Sequence, residues 1–444
     1  MKGISRRSLF LLVSDSIFLF VCFHLAAYWS YGTSLNLIVA RENLFFIFFV
    51  YLLCFYIFDL YFPFKLYKPA QTLIDVGLAC ACAAIFISAA WFLNRSGVVS
   101  RPWFLIFNLL AIPSAVIVRL VYDVFFQSRI ADKKTLVLGT DIMAQSIVRV
   151  IRETPHSGIN LVGVVSEEKT FEKDLEGIPV LGSASQLLSL IDWHHIQLVV
   201  LAVNAQSRMS EPDLMMALMR QNVQVTSAVH LFEKMDEAIP FDAVNEHFIL
   251  SLMSEARGLR YLHTKRILDL VIVSVLLLLF SPVMLLAWLF LFFQGPKNIF
   301  FFQDRIGVGG RKFRLIKFRT MTKPDASGRQ KVTGVGRLLR KFRVDETPQL
   351  INVLKGDMSL IGPRPEIEYF VERCRKSIPY YDAVFTVRPG ITGWAQVKFL
   401  HTTEMKDYPR KFCYNLFYLK NLSFSLDFLI VLKTIRVVLL GRGK

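Results

Sequence analysis

Two adjacent carboxylates, Asp345 and Glu346, close a long basic stretch and stand just before Pro348. Proline lacks a backbone N–H, so it is tolerated in the first turn of a helix and rarely later. The spacing predicts a helix from about Asp345 through Leu354, with a stop at Gly356. Asp345 then sits at or near an N-cap, where free N–H groups and the positive end of the helix dipole favour anions, phosphate included. Neighbouring helical positions point about 100° apart, so the two carboxylates suit two tasks better than one shared proton. An isolated Asp-Glu pair is ordinarily a cap and a surface glutamate. Here residues 305–343 carry thirteen Lys or Arg against one acid, Asp325, and a carboxylate pair behind such a field suggests a site for a polyanion.

The elements that must position this pair begin in a membrane. Of 444 residues, 54% are hydrophobic, more than soluble domains carry, and the net charge is +17. Four apolar stretches, at about 9–29, 43–62, 72–93 and 102–126, are each long enough to span the hydrocarbon core. Lys2, Arg6 and Arg7 precede the first, and Arg129, Lys133 and Lys134 follow the fourth, which puts both ends of the block in the cytoplasm. The first run has no small-residue cleavage site after it and reads as an anchor that stays. Asp15, Asp75 and Arg119 lie within or near the ends of spans, where they either mark a pathway or, as the more ordinary reading, pair between helices or snorkel to the interface. The positive charge fits cytoplasmic loops, lipid headgroups and phosphate-bearing substrates. A nucleic-acid partner is not expected, because neither a recognition motif nor interleaved aromatics are present. The six cysteines form no metal or disulfide spacing.

From Lys134 the pattern alternates. TLVLG (135–139), LVGVVS, IPVLG, LVVLAV and VQVTSA read as buried strands, with a helix to about Arg152 after the first, implying a Rossmann-like parallel α/β domain to about Val229. Its phosphate loop would be GTDIMA, but Asp141 stands where a second glycine should let backbone approach a pyrophosphate, which favours a structural or regulatory module. His194 and His195 lack a third ligand nearby and read as a helix end. Phe232 to His263 reads as a linker.

The apolar segment Arg266 to Phe293 has basic residues on both flanks, Asp269 near one end and Ser281-Pro282 in its middle. A spanning helix leaves one flank poor in Lys and Arg; a helix broken at Ser281-Pro282 that enters and returns satisfies both, with a plain kinked span as the alternative. Beyond lies a soluble-looking domain to about Lys420. An amphipathic helix from Ser425 then suits the interface.

At FFQDRIGVGGRKFRLIKFRTM (301–321), RLLRKFRVDETPQLINVLKGDMSLIGPRP (337–365) and VRPGITGWAQV (387–397), the sequence resembles the bacterial polyprenyl-phosphate hexose-1-phosphate transferases, the monotopic phosphoglycosyl transferases that start O-antigen, capsule and exopolysaccharide units. The match runs from about Lys265 onward. The spans and α/β domain ahead of it are similar to the large form of that family. The resemblance implies a four-span block at 1–130, the Rossmann-like domain at 131–230, a linker at 231–263 and a catalytic domain at 264–444, whose re-entrant helix breaks at Ser281-Pro282. It implies a multi-pass protein of the bacterial inner membrane, catalytic on the cytoplasmic face, and a homodimer. Asp345 would be the nucleophile on a UDP-hexose, releasing UMP, and Glu346 would assist the undecaprenyl phosphate acceptor. Mg²⁺ is the implied cofactor, with Asp345 near it, and the substrates are joined by membrane lipid as partner.

A carboxylate approaching a diphosphate meets like charge. Two unit charges at about 4 Å repel by about 4 kcal/mol at an effective dielectric of about 20, so cations are needed. Arg305, Lys317, Arg319, Arg364 and Arg388 are the candidates; each, taken alone, fits a lipid headgroup or surface ion pair as well as substrate. Gly362-Pro363-Arg364-Pro365 and Arg388-Pro389-Gly390 hold their arginines in rigid turns, which favours substrate for those two. Asn415 stands where the family often has an aspartate, so no carboxylate role is carried there. The competing expectation is a membrane-anchored nucleotide sensor or assembly scaffold with an inactive transferase domain.

Overall fold

The computed structural model describes residues 6–31, 37–58, 60–61, 69–94, 101–127, 133–154, 158–166, 174–202, 218, 223–254, 257–293, 299–322, 331–399 and 404–439. The four apolar stretches are helices α1 (Arg6–Tyr31), α2 (Leu37–Ile57), α3 (Pro69–Asn94) and α4 (Arg101–Gln127). A helix satisfies its own backbone, which is why such runs fold this way in lipid. Four described helices are long and apolar enough to cross a membrane: Ser8–Ser30, Thr72–Phe92, Pro102–Tyr122 and Tyr261–Phe293; the described apolar part of α2, Leu44–Ile57, is shorter. Arg119 and Asp15 are fully buried and paired at 2.5 and 2.6 Å, so these charges join α4 to α1.

Two units divide the chain: Met1–Val137 with Ile151–Val199 and Asp213–Gln224, and Leu138–Val150 with Val200–Pro212 and Val225–Lys444. All five expected strand runs are strands: β1 (Lys133–Leu138), β2 (Ile159–Ser166), β4 (Ile178–Ser183), β5 (Leu198–Leu201) and β6 (Gln224–Ser227). With the short β3 (Asp174–Leu175) they form one sheet in the order β3-β4-β2-β1-β5-β6. β2 and β4 are parallel and β3 is antiparallel to β4, making the sheet mixed at its edge. The helix after β1, Ile142–Glu153, begins on Asp141, whose Oδ1 accepts from the Ala144 N–H at 2.9 Å. His194 ends the helix Leu187–His194 and His195 caps it in the left-handed conformation.

The stretch read as a linker is folded. Ala228–Asp236 is a helix, Ala238 and Ile239 are buried in one core with Trp394 and Phe412, and the Ile239 N–H donates to the Cys413 carbonyl. Its acidic end is held by side chains from a distant motif: Trp394 Nε1 donates to the Glu237 carbonyl at 2.9 Å, and Lys398 pairs with the Glu237 carboxylate at 2.7 Å.

The long helix starts at Arg257, earlier than Arg266, and runs to Phe293 with Pro282 inside it, so Ser281-Pro282 does not separate two helices. Proline removes one ladder hydrogen bond, and neighbouring turns carry the helix past it. Midway along it Val273 shares a core with Leu315, Leu350 and Val353; near its end Ala287 and Leu291 share another with Phe318 and Leu339. Strands β7 (Phe300–Ile306) and β8 (Lys312–Phe318) form an antiparallel hairpin, with Phe301 opposite Lys317 and Arg305 opposite Phe313. Its turn uses Gly309 and Gly310 at φ 64° and 74°, a region glycine enters without steric cost. The C-terminal helix Phe424–Leu439 buries Ile430 and leaves Phe424, Phe428, Val431 and Ile435 exposed along one face.

Candidate active site

Asp345 and Glu346 belong to a 3-10 turn, Val344–Glu346, and the helix that follows is Gln349–Lys355. Asp345 is therefore not the N-cap expected from the sequence: Pro348 precedes the helix directly and leaves the carboxylates in the turn before it. The stop at Gly356 falls where expected, in the left-handed conformation. Arg343 opens the 3-10 turn at φ 58°, an uncommon conformation for a non-glycine residue that swings the following carboxylates inward.

The helix is locked to the hairpin by a residue that the reading of the sequence did not single out. Asn352, fully buried, accepts from the Ile316 N–H at 3.0 Å and donates to the Arg314 carbonyl at 2.8 Å. A polar residue inside the apolar run LINVL was the available signal. This lock sets Glu346 against Lys317 of β8, at 2.7 Å, with Arg343 at 3.5 Å. Burial opposes the Glu346 charge, but Lys317, Arg364 and Arg343 together hold the carboxyl at about 2, below its ordinary value.

Asp345 differs. It is 9% exposed, and its Oδ1 is buried with no hydrogen-bond partner among the described residues. Burial first, then the Glu346 charge, push its carboxyl up, while Lys317, Arg340 and Arg343 pull it down. A buried acceptor left unpaired costs about 1–3 kcal/mol, so this one is held in place against its own solvation.

Arg305, on β7, donates to the Pro365 carbonyl at 3.1 Å and to Gln303 at 2.7 Å, and lies 3.7 Å from Glu366. Burial pushes its guanidinium down from its ordinary value, and Glu366 counters this. Glu366 also pairs with buried Lys411, a second ion pair that the sequence did not reveal. Arg319 follows β8 with its backbone N–H on the Ile299 carbonyl, and its buried Nε has no hydrogen-bond partner among the described residues. Arg340 donates to Thr320 at 2.8 Å. Arg364 is exposed, and its charge acts on both Glu346 and Arg305. Lys317, Arg305 and Arg364 thus share one electrostatic neighbourhood with the carboxylate pair. Arg388 is placed elsewhere: its Nε donates to the Gly356 carbonyl at 3.1 Å, at the end of the Gln349–Lys355 helix away from Asp345.

The two rigid turns interlock. β9 (Ser359–Ile361) and β10 (Gly390–Thr392) pair in parallel, and the Gly362 and Gly390 N–H groups donate to the Thr392 and Pro363 carbonyls, each at 2.9 Å. A Cβ at Gly362 would lie 2.4 Å from the Arg388 carbonyl oxygen, and one at Gly393 2.0 Å from the Gly362 carbonyl oxygen. Only glycine fits at these positions.

Among the described residues no three His, Cys, Asp or Glu side chains form a metal cage. Mg²⁺ does not require one: one or two carboxylates with substrate phosphates suffice, and the unpaired Asp345 oxygen beside Glu346 fits that donor type.

The chain combines helices long and apolar enough to cross a membrane with a buried carboxylate that has no hydrogen-bond partner on one oxygen among the described residues, inside a cationic field suited to anionic groups. Residues 260–441 match the bacterial sugar transferase family and residues 56–228 a CoA-binding domain. The chain is 39% identical over 230 residues to the UDP-N-acetylgalactosamine-undecaprenyl-phosphate N-acetylgalactosaminephosphotransferase of Aeromonas hydrophila, covering 50% of this chain and 54% of that protein. It is 40% identical over 181 residues to the UDP-glucose:undecaprenyl-phosphate glucose-1-phosphate transferase of Caulobacter vibrioides, covering 38% of this chain and 68% of that one. The enzyme of the same name from Xanthomonas campestris is 26% identical over 407 residues, 87% of this chain and 84% of that protein. The chain belongs to the bacterial sugar transferase family.

Proposed function

We propose that this protein transfers a sugar-1-phosphate from a UDP-hexose to undecaprenyl phosphate through an Asp345-bound intermediate. The observation that carries this reading is the buried Asp345 carboxylate with an unpaired oxygen, beside a Glu346 held ionised by Lys317. In the first step an Asp345 oxygen attacks the phosphorus attached to the sugar, and the bond to UMP breaks. In the second, a phosphate oxygen of the polyprenyl carrier attacks that phosphorus, the aspartyl bond breaks, and the carboxylate is restored. Lys317, Arg305 and Arg364 offset the charge of the diphosphate. Glu346, held near 2, takes up little proton at neutral pH, so its part is to fix Lys317 and Arg343 rather than to act as a strong base. Bound Mg²⁺ would neutralise phosphate oxygens at the Asp345 side.

The long helix enters and returns on the cytoplasmic side. Leu315 and Phe318 are about 10 Å apart along β8, yet the cores they join contain Val273 and Leu291, which a straight helix would separate by about 27 Å. A bend at Ser281-Pro282 reconciles the two. The strand order β4-β2-β1-β5-β6 supports a Rossmann-like domain, and Asp141 already occupies the helix N-terminus where a pyrophosphate would sit. The donor is one of UDP-glucose, UDP-galactose or UDP-N-acetylgalactosamine.

The test is UMP release from these three donors by the full chain with undecaprenyl phosphate and Mg²⁺. Without acceptor, the wild type gains the mass of a sugar phosphate on Asp345 and Asp345→Asn does not. Folded protein that releases no UMP from any donor would overturn the reading in favour of the scaffold.

A further inference from the structure

A cavity opens at the head of the long helix, away from the carboxylate pair, lined by Lys265, Arg266, Asp269, Ser359, Arg388 and Tyr418 among others. Most of its polar groups are already committed. Lys265 pairs with Asp427 at 2.5 Å, the Tyr418 hydroxyl donates to Asp427 at 2.9 Å, and the Ser359 hydroxyl donates to Asp269 at 2.6 Å. The two arginines are committed only in part. Arg266 donates to the Val353 and Leu354 carbonyls at 2.6 and 3.0 Å, and Arg388 Nε donates to Gly356. A guanidinium has five N–H donors and neither side chain hydrogen-bonds a carboxylate among the described residues, so donors remain on both. The two guanidiniums repel across the cavity, and Asp269 in its wall offsets that repulsion only in part.

The cavity also sits where two apolar faces start. On the long helix Ile267, Val271 and Val275, spaced four apart, are 63, 57 and 60% exposed. On the C-terminal helix, which begins just after the cavity-lining Leu422, the face from Phe424 to Ile435 is exposed. A phosphate between the arginines with hydrocarbon along these faces is the outline of a membrane lipid.

We propose that this cavity binds the phosphate group of an anionic phospholipid between Arg266 and Arg388. The polyprenyl acceptor is a poor occupant, because its phosphate must reach Asp345 across the Gln349–Lys355 helix, about 10 Å long. A free anion would leave the apolar faces unused. The site goes beyond the transfer reaction, and lipid retention is read without turnover, so either reading can fail while the other stands.

The experiment is native mass spectrometry of the full chain in nanodiscs containing phosphatidylglycerol or phosphatidylcholine. Wild type retains phosphatidylglycerol preferentially; Arg388→Gln weakens that retention about tenfold and Arg388→Lys less. Retention by Arg388→Gln then recovers as the phosphatidylglycerol fraction rises. Equal retention of the two lipids by wild type, or retention unchanged in Arg388→Gln, would each overturn the assignment. So would displacement of the lipid by inorganic phosphate, which marks a free-anion site. If the Arg388→Gln protein does not fold, Arg266→Gln takes its place, and retention unchanged in that variant overturns the assignment.

Discussion

Asp141 and Asp345 each precede a helix, and they are treated in opposite ways. Asp141 spends its Oδ1 on the Ala144 N–H, closing the start of the helix after β1. Asp345 lies four residues before its helix, in a turn set by left-handed Arg343, and its Oδ1 is buried without a partner among the described residues. The first is a satisfied cap in a position where related folds bind phosphate; the second carries an unmet hydrogen-bonding capacity in a cationic field. Residue type and nearness to a helix do not separate structure from chemistry. What separates them is whether the polar atom already has its partner.

The comparison breaks most visibly at the second aspartate. Asp345→Asn is expected to lower UMP release at least about a thousandfold, as loss of a covalent nucleophile does, in the donor assay with acceptor present. Because burial raises its carboxyl, the same variant should unfold at a higher temperature than wild type at neutral pH, where the aspartate must otherwise be ionised against its surroundings. An unchanged rate would remove the contrast altogether.

Removing Lys317 tests the field around it. Lys317→Met leaves Glu346 buried without its nearest cation, with an expected cost of about 3–5 kcal/mol in urea unfolding and a large fall in UMP release. A variant as stable as wild type would show that Arg343 and Arg364 suffice.

The pH dependence sharpens the picture of Glu346. Its folded value of about 2 lies below the ordinary 4.5, so the pairing stabilises the protein fully above about pH 4.5 and is lost as pH falls toward 2. The shift corresponds to about 3 kcal/mol. Wild type should lose that much relative to Glu346→Gln between about pH 5 and pH 2 in denaturant titrations. Parallel curves for the two proteins would contradict it.

The smallest effect falls on the first aspartate. Asp141→Ala should cost about 1 kcal/mol of stability, the usual worth of a cap, and leave UMP release unchanged. A drop in rate without a drop in stability would mean that Asp141 is more than a cap.

The sequence disclosed what periodicity and length can disclose. The five apolar strand runs, the apolar helices and the Gly356 stop were legible because each depends on residues close together in the chain. Legibility failed where partners are far apart. The Lys265–Asp427 and Glu366–Lys411 pairs, the burial of Ala238 and Ile239, and the Asn352 lock join segments that no local pattern connects. Asp345 and Glu346 stood out by the charge before them, whereas Arg388 was grouped with them through its rigid turn and lies at the other end of a helix. Arg343 could not be foreseen either, since nothing in its neighbours demands a left-handed backbone.

The interlocked turns around Gly362, Gly390 and Gly393 bear on how such a protein can change over generations. The atoms that would obstruct a side chain at Gly362 and Gly393 are main-chain oxygens of the opposing turn, so no replacement elsewhere in the sequence can make room. Drift in one turn is not correctable by drift in the other. The IGPRP and RPGITG segments are therefore tied sterically into a single unit, whatever the arginines projecting from them bind.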